Sequence, residues 1–217
     1  MDAAGSADYC TRIVTDLGEA ESDWRALLLA AGVTNPFVSF EFLHALQASG
    51  AASARSGWEP HHLLLTRGGR AVAAVPLYRK HHSYGEYVFD WAWAQAYHEH
   101  GIAYYPKWLA AVPFTPVPGP RLIAADAVAR DAAAHALLAL AGESGLSSLH
   151  VLFASDEELR LLQRRGALLR AGVQFHWFNR GYAGFDDYLA QLAPPKRKKV
   201  RAARRKVAEA GVSLRRL

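Results

Sequence analysis

Between Tyr84 and Trp108 the chain places nine of its 24 aromatic residues in 25 positions: Tyr84, Tyr87, Phe89, Trp91, Trp93, Tyr97, Tyr104, Tyr105 and Trp108. Glu86, Asp90, His98, Glu99, His100 and Lys107 are interleaved with them. A packed core uses aromatics, but unpaired charges buried among them are costly. Amphipathic rings beside ionisable groups suit a cleft wall, where rings give shape and polar tips give orientation. On that reading Tyr84, Glu86, Asp90, Trp91, Trp93 and Tyr105 line the largest cleft. The other reading is a loop-rich rim over an ordinary core.

The charge is local. The net value is +5, yet Lys196–Lys206 reads KRKKVRAARRK, eight basic residues without an acid, and the remainder is at −3. No apolar run approaches the roughly 20 residues that span a bilayer. The start, MDAAGSADYC, lacks a basic region and an apolar stretch, so nothing marks it for export. The single Cys10 fits a reducing compartment, and the expected location is the cytoplasm.

Hydrophobic periodicity predicts a strand at Thr11–Thr15, a helix from Ser22 or Asp23 to Ala31 ended by Gly32, a turn at Asn35-Pro36-Phe37 and a helix over Glu41–Ala48. His61–Thr66 and Arg70–Arg79 read as strands around a Gly68-Gly69 hairpin turn. Helices are expected at Trp91–His100, Ala127–Ala141, Asp156–Arg165 and Phe185–Leu192, with strands at Arg121–Ile123, Ser148–Phe153 and Val173–Phe178. Pro113, Pro116, Pro118 and Pro120 enforce an extended connection. After Pro194-Pro195 comes a basic helix with a narrow stripe at Val200, Ala203, Val207 and Ala210, and Val212–Leu217 begins a strand. The order indicates an α/β (α+β) fold, with a mixed, largely antiparallel central sheet flanked by helices. A strand beginning at the very end suggests a second domain cut short.

Several groups are candidates for chemistry. Glu86 and Asp90 are candidate proton acceptors, or else ion-paired to Arg79 or Lys80. His98-Glu99-His100 lacks the i, i+4 spacing of a helical zinc pair, and no metal is expected. Lys107 and Arg121 are candidates for holding a phosphate or carboxylate, or are ordinary surface charges. Asn179 and Arg180 sit at a predicted strand end, either as a binding loop or as an interdomain turn. Lys196, Arg197, Arg201, Arg204 and Arg205 form an anion-binding candidate, against the plainer reading of a solvated helix. No aromatics interrupt the basic run, which argues against stacking on single-stranded nucleic acid.

The segments NPFVSFEFLHAL (Asn35–Leu46), GWEPHHLLL (Gly57–Leu65), PLYRKHHSYGEYVFDWAWAQAYHEHG (Pro76–Gly101), YYPKWLAAVPFTPVPGPRL (Tyr104–Leu122) and QFHWFNRGYAGFDDYLAQL (Gln174–Leu192) resemble the bacterial Fem-like predicted N-acyltransferases, a peptidoglycan biosynthesis or recognition family. The resemblance runs from about Thr11 to Leu217. It implies tandem acetyltransferase-like (GNAT-type) domains, here a first domain over 1–178 and, over 179–217, connecting helices and the first strand of a truncated second domain. It further implies transfer of an acyl or aminoacyl group to an amine of a cell-wall precursor, for which Glu86 and Asp90 are the candidate catalytic residues. Tyr84, Trp91, Trp93, Tyr105, Lys107, Arg121, Asn179 and Arg180 would bind substrate. The donor is either aminoacyl-tRNA or acyl-CoA, and the acceptor a small-molecule or lipid-linked peptide. PVPGPRL has one glycine and prolines without N–H donors, a departure from the phosphate-cradling loop of acetyl-CoA users. Both halves would build the site, so this chain alone is expected to be inactive. The competing class is a binding module: the basic helix holding tRNA, other nucleic acid or an anionic membrane at its periphery, or a noncatalytic peptidoglycan-recognition module.

Overall fold

The computed structural model describes residues 9–88, 90–213 and 215. They fall into two compact units, Met1–Ala171 and Gly172–Leu217.

The first unit opens with β1 (Tyr9–Val14) and a 3-10 turn at Leu17–Ala20. Two helices follow, α1 (Glu21–Ala30) and α2 (Phe40–Ala48). The Ser39 hydroxyl accepts the Phe42 N–H at 3.2 Å, which fixes where α2 starts. Then come β2 (Trp58–Pro60), β3 (His62–Arg67), β4 (Arg70–Val75) and β5 (Leu77–Lys80). Gly68 and Gly69 both have positive φ, 57° and 75°, as a two-residue turn between right-twisted strands requires. An insertion carries α3 (Trp91–Glu99) and leads to β6 (Lys107–Ala110). The unit closes with β7 (Ile123–Ala124), α4 (Ala127–Glu143), β8 (Leu149–Val151) and α5 (Asp156–Arg164). Ser155 and Glu158 form a reciprocal capping box at the start of α5.

The mixed, largely antiparallel architecture flanked by helices is as the periodicity indicates, but the strands form two four-stranded sheets rather than one. Their orders are β1-β3-β4-β7 and β2-β5-β6-β8, and among the described strands the one parallel pair is β6 with β8. Pro76 explains the division. The run Arg70–Arg79, expected as one strand, breaks at this residue, which has no N–H to donate, and passes from the first sheet to the second. Both faces of the first sheet are covered. Leu63 and Leu65 pack with Ala133, Leu137 and Leu162 on one side, while Leu64 packs with Trp24, Leu27 and Leu43 on the other. Burial on both faces is why β3 reads as a continuous apolar run instead of an alternation.

The second unit contains α6 (Phe185–Ala190) and α7 (Pro194–Glu209). Val173–Phe178, expected as a strand, is irregular and exposed. Val212, Ser213 and Arg215 belong to no strand, and the rest of the expected terminal strand lies outside the described residues. β2 and β6 were not expected. Each is four residues or fewer, β2 ending on Pro60 and β6 following Pro106, too short for a period-2 signal to show.

Candidate functional site

The site begins with an unusual register. In the antiparallel β5–β6 pair, Lys80 lies directly opposite Lys107, and both are fully buried. Like charges facing each other across a ladder repel, and buried ammonium groups lose their hydration. The insertion between the two strands supplies the compensation. Lys107 Nζ donates to Glu86 Oε2 at 3.0 Å and to Asp90 Oδ2, and all three side chains are closed to solvent. Lys80 Nζ contacts His82 Nδ1 at 3.1 Å, donates to the His82 carbonyl and lies 4.6 Å from the Trp58 ring centroid.

Asp90 is the hub. Its Oδ2 also accepts from the Tyr104 hydroxyl at 2.7 Å, and its Oδ1 accepts from Ser83 Oγ, which in turn meets the Tyr105 hydroxyl. His150 Nε2 extends the network to Tyr104 Oη at 3.4 Å and Ser148 Oγ at 3.2 Å. Two glycines allow the chain to wrap this closely. Gly57 has φ +72°, and a Cβ there would lie 2.3 Å from His82 Nε2. Gly85 has φ +82°, and its Cβ would lie 2.6 Å from Phe114.

Environment separates the two carboxylates. Burial pushes Glu86 up to about 7 although Lys107 pulls it down, and its Oε1 has no hydrogen-bond partner. Burial alone would raise Asp90, but hydrogen bonds from Lys107, Ser83 and Tyr104 outweigh it and hold the group at about 2. Burial lowers Lys80 to about 8, with Glu86 opposing and Lys107 assisting the shift. It also lowers His150 to about 4. Glu86, Asp90 and His150 offer donor atoms within 4.8 Å of one another. The Lys107 ammonium already occupies the position between the two carboxylates, so a metal ion would have to displace it.

Above the network is a cavity of about 300 Å³ lined by His82, Ser83, Tyr84, Trp91, Gln95 and Tyr105 among others. Tyr84 and Trp91 are 75% and 62% exposed and form an open mouth. Ser83 and Tyr105 therefore link the cavity to the buried charges. A larger hollow of about 410 Å³ lies elsewhere, between β1 and α4, with Thr11, Ile13, Leu65 and Ala136 in its walls.

Three of the six residues expected around the largest cleft, Tyr84, Trp91 and Tyr105, share the smaller cavity. Glu86 and Asp90 are packed away from solvent, paired with Lys107 rather than with Arg79 or Lys80. Trp93 is exposed outside the cavity wall, because it falls on another side of α3 from Trp91 and Gln95. Lys107 is consumed by the two carboxylates. Arg121 is fully buried and donates to the Leu152, Pro120 and Val117 carbonyls, so its guanidinium ties down the proline-rich connection. In the second unit, the Asn179 side chain accepts from the Gly181 and Tyr182 N–H groups, and Arg180 is exposed. On α7, Lys196, Arg201, Arg204 and Arg205 are exposed. Arg197 instead donates to the Ala190 and Leu192 carbonyls at the end of α6. Ser83, His82 and His150 escaped sequence reasoning, which considered Lys80 only as an ion-pair partner and Tyr104 only as one ring of the aromatic block. The register of Lys80 against Lys107, not any motif, brings them together.

An α+β domain with a buried, charge-balanced polar centre beneath an aromatic cavity is a suitable scaffold for polar group transfer. The family model described as FemAB-like, peptidoglycan biosynthesis/recognition, matches residues 18–217. The chain belongs to this FemAB-like family, whose members are typically transferases with roles in peptidoglycan biosynthesis. No curated protein matches the chain. Among the described residues, no helix is long and apolar enough to cross a membrane.

Proposed function

We propose that the chain serves an N-acyltransferase that moves an aminoacyl or other acyl group onto an amine of a cell-wall precursor, with the acceptor held in the cavity over Ser83 and Tyr105. The observation that carries this reading is the hydrogen-bonded path from those two hydroxyls to Asp90, Lys107 and Glu86. The amine nitrogen attacks the acyl carbonyl carbon and gives up one proton, and the bond to the donor oxygen or sulfur breaks, that atom leaving with the electron pair and taking up a proton. Asp90 is held too acidic to keep that proton. Its role is to position Ser83 and Tyr105, which orient the amine. Glu86, poised near 7 and reached through Lys107 and Asp90, has the affinity that suits the proton acceptor of the cluster.

Aminoacyl-tRNA is the donor this chain favours over acyl-CoA. The start of α4, where a phosphate would gain from the helix dipole, is capped by the Asp126 carboxylate, which accepts from Ala129 N at 2.7 Å. The connection before it is rich in proline. We assign residues 179–217 as the connecting helices that lead into a second acetyltransferase-like half, which completes the site. The test is mass spectrometry of cell-wall precursors incubated with the full-length protein and either charged tRNA or acyl-CoA. Acylation of a precursor amine with charged tRNA, lowered by Ser83→Ala and by Tyr105→Phe without loss of fold, is expected. No acylation with either donor, or full activity in both variants, overturns the proposal.

A further inference from the structure

The second unit holds eleven basic residues against three acids, a net +8 in a chain whose total is +5. In sequence its aromatics and its charges are separate. The fold brings them together. Arg204 lies 4.1 Å from the Phe185 ring centroid, and Phe185, Tyr188, Tyr182 and Trp177 form a connected ring cluster. Beside it, Val173, Phe175, Trp177 and Phe178 are 84%, 94%, 64% and 74% exposed.

From this juxtaposition we propose that the Gly172–Leu217 unit is a peripheral docking element for an anionic phospholipid bilayer. The α7 cations would lie against the headgroups, and Phe175, Trp177 and Phe178 would enter the interface. Charge complementarity names the sign of the partner, since Lys196–Lys206 contains no acid. The rings decide between a bilayer and a nucleic acid. A base needs a free ring face, and here Trp177 stacks on Tyr182, His176 stacks on Phe178 and Arg204 covers Phe185, which leaves Phe175 as the open ring of the set. An aliphatic Val173 at 84% exposure offers nothing to a base, but it fits the boundary of acyl chains and headgroups, where Trp and Phe also concentrate.

The experiment is co-sedimentation of the 217-residue chain with phosphatidylglycerol/phosphatidylcholine vesicles, with pure phosphatidylcholine vesicles, and with oligo(U) in competition. Binding is expected to the anionic vesicles alone and to weaken with salt. Lys198→Glu with Lys199→Glu should lower it by roughly tenfold or more, given about fivefold for each lost surface charge. Phe175→Ser with Phe178→Ser should also reduce it while leaving the circular dichroism spectrum unchanged, and quenching by brominated acyl chains should fall in Trp177→Phe. Absence of binding to anionic vesicles overturns the proposal. So does binding that the two serine substitutions leave intact, or displacement of the vesicles by oligo(U) at matched charge. None of these readouts depends on acyl transfer, so the docking reading and the transferase reading fail separately.

Discussion

Replacing Lys107 with methionine keeps the volume of the side chain but removes the charge between two buried carboxylates. Lys107, Glu86 and Asp90 all have side chains at 0% exposure, so water cannot take over. Breaking one partner out of such a group costs about 3–5 kcal/mol. The structure indicates how that sum divides. Glu86 sits near 7 already and sheds its charge by binding a proton, so its share is small. Asp90 must either remain charged without its main donor or be protonated. At pH 7, protonating a carboxyl whose ordinary value is 3.8 costs about 4 kcal/mol, at about 1.36 kcal/mol per unit. At pH 5 the same step costs about 2 kcal/mol. Lys107→Met should therefore lose about 4 kcal/mol at pH 7 and about half of that at pH 5. Adding Asp90→Asn should return stability to within about 1 kcal/mol of the parent, because a neutral well-packed substitute for a buried pair is tolerated. Urea denaturation followed by tryptophan fluorescence reads this directly, since Trp24, Trp58, Trp91, Trp93 and Trp108 all lie in the first unit. A loss below about 1 kcal/mol at both pH values, or a double variant no better than the single one, would refute the reasoning.

Glu86→Gln should flatten one part of the stability–pH curve. The folded protein holds a proton on Glu86 that the unfolded chain releases above 4.5, so Glu86 makes stability fall as pH rises from 4.5 to about 7; unfolding midpoints across that range should lose this slope in the variant, and an unchanged slope contradicts it. Asp90 acts in the opposite sense, contributing stability above 3.8 that is lost as pH falls toward 2, so Asp90→Asn should be destabilised near neutrality and less sensitive to acid. Arg121→Met should cost about 2 kcal/mol in urea, since one buried and two part-buried carbonyls lose their donor, while a change under about 1 kcal/mol would mean that water replaces the guanidinium. Gly57→Ala adds a Cβ 2.3 Å from His82 Nε2 at φ +72°, so it should cost at least about 1 kcal/mol and shift the His82 imidazole resonances, and a silent NMR spectrum would count against the packing described.

Most helices were legible because their caps and apolar periods are local. Gly32 marks the end of α1 in the sequence, and α1, α2, α3 and α5 each begin and end within a residue or two of the expected bounds. Strand content was legible, but its division between sheets was not, because Pro76 makes that division through the partners it denies rather than through its neighbours. The aromatic block was readable as a wall, and Tyr84, Trp91 and Tyr105 do line a cavity. The buried centre was not readable. Glu86 and Asp90 lie 21 and 17 positions from Lys107, and nothing in either segment states that β5 and β6 pair with two lysines in register. Arg121 was equally illegible, since nothing in the sequence around an arginine after prolines shows that its guanidinium meets the Leu152, Pro120 and Val117 carbonyls.

The two facing lysines also bear on how the cavity can be entered. The segment that carries Ser83, Tyr84 and Trp91 is the same one that delivers Glu86 and Asp90 to Lys107. Swinging that segment outward would strip both anions from the interior and leave two ammonium groups confronting each other in a dry cleft. A hinged flap is thus electrostatically disfavoured here. The wall is held in place by its own ion pairs, and the cavity opens over its rim, past Tyr84 and Trp91, as a standing doorway and not as a timed gate.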